Sequence, residues 1–192
     1  MSQFIERKQL RTAVERALTR YPVVAILGPR QVGKTTLGRT IVPDPDRWFD
    51  LESPIDLMRL GSAGERFERL RDLSGRVLID EVQQIPELFQ ELRVLVDQPA
   101  RRASFVLTGS QSPEVRTGIA ESLAGRVHWL EMSGFNLAEI DSIQWRRLWL
   151  RGGYPSSFLA DDDEMSWEWR SDFARTYLLR DIERIARGGL SP

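Results

Sequence analysis

The stretch VVAILGPRQVGKTTL, Val23 to Leu37, restricts the fold more than any other part of the chain. Its first five residues are apolar and largely β-branched, the composition of a strand covered on both faces. Gly28-Pro29-Arg30-Gln31-Val32-Gly33-Lys34-Thr35 then fits G-x-x-x-x-G-K-[ST] in full, with Thr36 completing the loop. A loop of this kind turns successive backbone N–H groups inward around an anion, and its glycines permit the dihedrals and the close approach. A helix is predicted over Thr35–Val42, whose start adds unpaired N–H donors and the positive end of a dipole. Lys34 is placed to reach β- and γ-phosphates, and the Thr35 hydroxyl to ligate Mg2+. Composition sharpens the point. Of 27 basic residues only Lys8 and Lys34 are lysines. A chain that otherwise uses arginine keeps a compact ammonium where a planar fork does not fit.

Around this loop the pattern alternates. An amphipathic helix is predicted over 4–20, stopped by Tyr21-Pro22 because proline pushes its predecessor out of the helical region. Strands are predicted at 47–52, 76–81, 104–110 and 126–132. Helical stretches separate them at Asp56–Leu73, at 86–98 and at Pro113–Ala124. Such alternation indicates βαβ units and a parallel sheet. From Asn136 the pattern is helical and rich in Trp and Arg. RGGYPSS (151–157) interrupts it before a long helix over Ser166–Ala186. The expected organisation is an α/β core over 1–140 and a helical extension over 141–192.

Two strand ends carry chemistry. RVLIDEVQQIP places Asp80 and Glu81 at the end of an apolar run. In open parallel sheets ligands lie beyond the carboxyl ends of the strands, where the phosphate loop also lies. Asp80 is expected to hold Mg2+, directly or through a water, and Glu81 to orient and deprotonate an attacking water. FVLTGS ends in Thr108 and Ser110, either of which can hold that water or the γ-phosphate, although Thr-Gly-Ser is also ordinary turn chemistry. Gln83 and Gln84 suit a γ-phosphate, a partner, or simple helix-start polarity.

Together the segments GPRQVGKTTL, LIDEVQQIPELF, FVLTGSQSPEV, SLAGRVHWLEMSGFNLAEI, GGYPSSF and YLLRDI resemble P-loop ATPases of the additional-strand, catalytic-glutamate class. Within that class they resemble the AAA-type branch, and a prokaryotic group in it that carries a C-terminal domain of unknown function. The resemblance implies a three-layer P-loop NTPase fold with a five-stranded, mainly parallel sheet. The phosphate-loop strand would be central, and the acidic strand not beside it. It implies Mg-ATP as ligand, with residues 28–36 as the cradle, Asp80 and Glu81 as metal and water residues, and a sensor at Thr108–Ser110. Arg126 of SLAGR stands where such proteins place an arginine for the γ-phosphate, in their own subunit or a neighbour's; a plain surface arginine is the other reading. Members of the group continue beyond YLLRDI into a second domain, so the chain reads as the motor part of such a protein.

The remaining features narrow the classes. A net charge of -1 and a pI near 6.0 give no support to nucleic-acid binding beyond the local pairs Arg101-Arg102 and Arg146-Arg147. There are no cysteines, which rules out disulfides and thiolate metal sites. No run reaches the ~18 apolar residues of a membrane span, and a cytoplasmic protein is expected. His128 is expected as a packed core imidazole, and Asp161–Glu164 as a solvated loop and helix start. Trp145, Trp149, Trp167 and Trp169 are expected to pack between helices or to mark an interface. The function expected is Mg-dependent ATP hydrolysis. The alternatives are an ATP-binding switch or adaptor with little turnover, and a small-molecule phosphotransferase; the acid pair on a later strand suits water better than an acceptor hydroxyl. A homo-oligomer follows if Arg126 acts across subunits, and the protein partner is unknown.

Overall fold

The computed structural model describes residues 4–187, so the tail after Arg187 lies outside the described residues. Residues 6–133 form one compact unit; residues from 134 onward, with the segment ending at Ile5, form another.

The first unit is built on five strands: β1 (Val23–Leu27), β2 (Trp48–Asp50), β3 (Gly75–Asp80), β4 (Ala103–Gly109) and β5 (Val127–Glu131). Their order is β2-β3-β4-β1-β5, and every neighbouring pair among them is parallel. β4 is therefore the additional strand, inserted between the phosphate-loop strand and the acidic strand. All five residues of β1 are buried. Val23, Ala25 and Leu27 point to one face, into a core with α4 (Ala63–Asp72), α5 (Leu88–Val96) and α6 (Pro113–Leu123). The opposite face takes α1 (Lys8–Leu18) and α2 (Lys34–Ile41). α2 comes so close that a Cβ on Gly38 would lie 2.6 Å from a methyl of Leu78. These helices on both faces make the three layers.

Several predicted elements are shorter or divided. β2 keeps three residues, because the backbone turns at once: Ser53 N–H bonds the Asp50 carbonyl and Glu52 N–H bonds its carboxylate. The helical stretch predicted over Asp56–Leu73 is two helices, α3 (Pro54–Leu60) and α4, parted by Gly61 at φ 77° and Ser62. β3 ends at Asp80, and Glu81 leaves it with φ 54°. His128 is not a core imidazole. β5 is an edge strand, and the ring is half-buried, 5.5 Å from that of Tyr21.

The second unit contains α7 (Trp145–Arg151), α8 (Pro155–Phe158) and α9 (Asp163–Arg187). Phe135, Ile140 and Phe158 form its small core. Arg151, itself buried, bonds Asp163 at 2.6 Å at the start of α9, and Asp162 accepts the N–H of Met165. The acidic run thus caps a helix whose dipole favours it. Trp169 packs as expected, stacked on Phe173 at 5.0 Å. Trp145, Trp149 and Trp167 are 51%, 87% and 66% exposed, which leaves for them the other expectation, an interface. No described helix is long and apolar enough to cross a membrane.

Candidate functional site

Register brings the site together. Leu27, the last residue of β1, pairs with Gly109 of β4 and Glu131 of β5, and Ile79 pairs with Leu107. The carboxyl ends of β1, β3 and β4 therefore meet at one edge. There Asp80 stands beside Thr108, next to the loop that leaves β1.

That loop has the form of a cradle. Gly28 is buried, and a Cβ on it would sit 2.0 Å from the Met132 carbonyl oxygen, a backbone atom. Only glycine fits this approach. Gln31 and Gly33 adopt positive φ, 62° and 95°, which bends the chain round before α2 begins at Lys34. A non-glycine residue held in the left-handed region is a strain typical of ligand-clasping loops. Arg7 braces the loop from behind: its buried guanidinium donates to the Ser133 carbonyl at 2.6 Å and to the Val32 carbonyl at 3.5 Å. Pro29 and Thr35 are half-buried, while Arg30, Gln31 and Thr36 are open to solvent. Val32 is buried and anchors the bend.

Lys34 is 5% exposed, and its ammonium donates to the Pro29 carbonyl at 2.8 Å. Burial pushes its pKa below the ordinary lysine value, against the pull of Glu81 and Asp80. Lys34, at the start of the helix that follows β1, and the two acids at the end of β3 stand at the same carboxyl edge of the sheet. Burial likewise pushes Glu81 up, reinforced by Asp80 and opposed by a hydrogen bond from Gln83 and by Lys34. Asp80 is 4% exposed. It accepts a hydrogen bond from the hydroxyl of Thr108, which is fully buried, and another from the Glu81 N–H at 3.1 Å. Thr35 and Asp80 line one cleft of about 110 Å³, walled by Trp48, Phe49 and Leu78.

The donor set fits a nucleotide with magnesium. The close approach of Gly28 to the Met132 backbone leaves no room for a Cβ, the Lys34 ammonium is buried within the loop, and the Thr35 hydroxyl shares its cleft with Asp80, Asp50 and Asp56. Among the described residues no group of three or more His, Cys, Asp or Glu side chains is arranged to hold a metal. Magnesium needs no such cage, since it binds through one or two carboxylates together with substrate phosphates.

Two expected residues stand elsewhere. Arg126 precedes β5, and its carbonyl accepts the N–H of Val23 at the beginning of β1. It is at the amino edge of the sheet, a strand's length from its own phosphate loop, where its guanidinium makes a two-pronged ion pair with Asp97 at 2.6 and 2.7 Å. The own-subunit role for Arg126 is thereby corrected: a parallel sheet puts the start of β5 and the end of β1 at opposite edges. Ser110 does sit at the tip of β4, but its contact there is through the backbone, its N–H pointing to the Gln83 side chain at 3.4 Å. The side chain that engages the acid pair from β4 is Thr108. Arg7 was not visible in the sequence, being one of 25 arginines with no local motif.

Residues 20–141 match the family model of an AAA domain, and residues 142–190 match that of a domain of unknown function. Uncharacterized proteins of Mycobacterium tuberculosis and Mycobacterium bovis are each 46% identical over 182 residues, which is 94% of this chain. The chain spans 41% of the length of these relatives. Among solved structures, a Walker-type ATPase of Pyrococcus abyssi superposes with a TM-score of 0.70 at 18% identity, over 97% of this chain and 77% of that one. The ORC2 protein of Aeropyrum pernix, solved as ADPNP and ADP complexes, gives 0.54 at 16% identity, over 88% and 68%.

Proposed function

The chain belongs to the AAA domain family, and on that premise we propose that it binds ATP with magnesium and hydrolyses it to ADP and phosphate. The observation that carries this reading is the convergence of Lys34, Asp80 and Glu81 at the carboxyl edge of one parallel sheet, around a loop shaped for phosphate.

In this reading backbone N–H groups of residues 30–36 hold the phosphate oxygens, Pro29 having none to give, and Lys34 reaches the β- and γ-phosphates. Thr35 and Asp80 would hold magnesium, which when bound offsets negative charge on the phosphate oxygens. Glu81 orients a water and takes its proton as the water oxygen bonds to the γ-phosphorus. The bond between that phosphorus and the β–γ bridging oxygen breaks, and ADP leaves with the electron pair. A carboxylate whose pKa is raised by burial is a better base for this than an exposed one. Thr108 fixes Asp80, and Ser110 at the tip of β4 is assigned to the γ-phosphate. Arg126, remote from its own loop, serves only by reaching a neighbouring subunit's γ-phosphate, so the reading includes a homo-oligomer. The supply of substrate is cytoplasmic ATP.

Steady-state phosphate release tests it. Glu81→Gln should keep ATP binding and lose about 100-fold or more in turnover, while Lys34→Ala should lose binding. Wild-type protein that retains ATP without releasing phosphate would instead support the switch. Movement of the label to an added small molecule would support phosphotransfer.

A further inference from the structure

Gln83 follows the acid pair by two residues. The sequence leaves it equally suited to a phosphate, a partner or a turn. In the structure it does something else. Glu81 leaves β3 in the left-handed region, and Gln84 N–H bonds back to the Glu81 carbonyl at 3.0 Å, closing a short 3-10 turn over Val82–Gln84. That turn folds the Gln83 side chain back between the two catalytic strand ends. Its Nε2 donates to Glu81 Oε2, and its Oε1 accepts the Ser110 N–H at 3.4 Å. Both ends of one amide are therefore used: one on the carboxylate, the other on the tip of β4. Gly109 makes room for it. A Cβ there would lie 2.9 Å from Gln83 Oε1 and 3.2 Å from a methyl of Val82.

We propose that Gln83 is a positioning residue for Glu81: anchored on the β4 tip, its amide occupies one carboxylate oxygen and so fixes the direction in which the other faces the water. The anchor matters because an amide has distinct ends. With Oε1 held by Ser110 N–H, only Nε2 is left to face Glu81, and the carboxylate gains a fixed donor. A base oriented by a third group is a general arrangement of activated sites. The link also joins the water-activating residue to the strand end expected to meet the γ-phosphate, so movement at one is felt at the other. This inference rests on the hydrolase reading above.

The experiment is a cycle of Gln83→Ala, Gly109→Ala and the double variant, with wild type in the same phosphate-release assay and ATP affinity measured separately for each. Gln83→Ala should lower kcat about 10- to 100-fold, the scale set by small misplacements of a catalytic group, with ATP affinity within about twofold of wild type. Gly109→Ala leaves the amide in place chemically and displaces it sterically; it should give a loss of the same order. The double variant should lose no more than the worse single one. Wild-type turnover with Gln83→Ala equally active overturns the positioning role alone. So do equal losses of kcat and affinity, or full additivity in the double variant. A wild type that binds ATP and releases no phosphate overturns the hydrolase reading, and this proposal with it.

Discussion

Thr108 shows what a single hydroxyl does in such a site. Asp80 is almost wholly buried, and a buried carboxylate is tolerated only when its oxygens have partners. Thr108→Val keeps the shape and removes the donor. The expected cost is about 1–3 kcal/mol, read as a lower urea midpoint at unchanged slope. Gly28→Ala tests the cradle differently, since its added methyl meets a backbone oxygen that cannot swing away. About 1–3 kcal/mol of overpacking is expected, together with weakened ATP binding in calorimetry. At this scale the sequence is legible where chemistry is local. Lys34 and Thr35 are adjacent to the glycines that need them, and the spacing announces them. Arg7 is not legible, because it reaches Ser133 from the far end of the chain and nothing beside it marks the contact. Gln83 lies between: its position beside the acid pair is visible, but the left-handed turn that aims it at Glu81 is not.

Among elements, the division of one predicted helix into α3 and α4 has a compact cause. Glu65 accepts hydrogen bonds from both the N–H and the hydroxyl of Ser62, each at 2.7 Å, and this starts α4 one turn after α3 has ended. These bonds hold the Glu65 carboxyl below its usual range. A depressed carboxylate stabilises the fold above its unfolded pKa, and that contribution is lost as pH falls through the folded value. Ser62→Ala should therefore lower the melting temperature at pH 7. The gap to wild type should narrow as pH drops below about 4.5, the ordinary value for this group; a gap that widens in acid would contradict the assignment. The break was hard to read because the apolar spacing of Leu57, Leu60, Phe67 and Leu70 runs on through it. The strands were easier. β1 is apolar along its whole length and buried along its whole length, as a central parallel strand must be. β2 and β5 are edges, and there burial is partial and the boundaries slip.

For the whole molecule, the parallel topology makes a demand that no single element reveals. It places Arg126 and Lys34 at opposite edges of one sheet, so the contribution proposed for Arg126 has to come across a subunit boundary. Arg126→Ala and Lys34→Ala should each be inactive alone. Mixed, they should recover part of the wild-type rate, because one supplies intact loops and the other intact arginines. A mixture as inactive as its components would remove Arg126 from the reaction. The resemblance to AAA-type ATPases is carried by segments that run from the Gly28 loop through every later strand of the first unit but β2 and on into the second, which is why family and sheet order are legible together. The central claim, that this loop and its neighbouring acids clasp a magnesium-bound triphosphate, is tested most directly by calorimetric titration of ATP with magnesium into wild-type and Lys34→Ala protein. A saturable heat near one ATP per chain in the wild type, abolished in the variant, is the expected result. No saturable heat in the wild type, or equal heat in both, would contradict it.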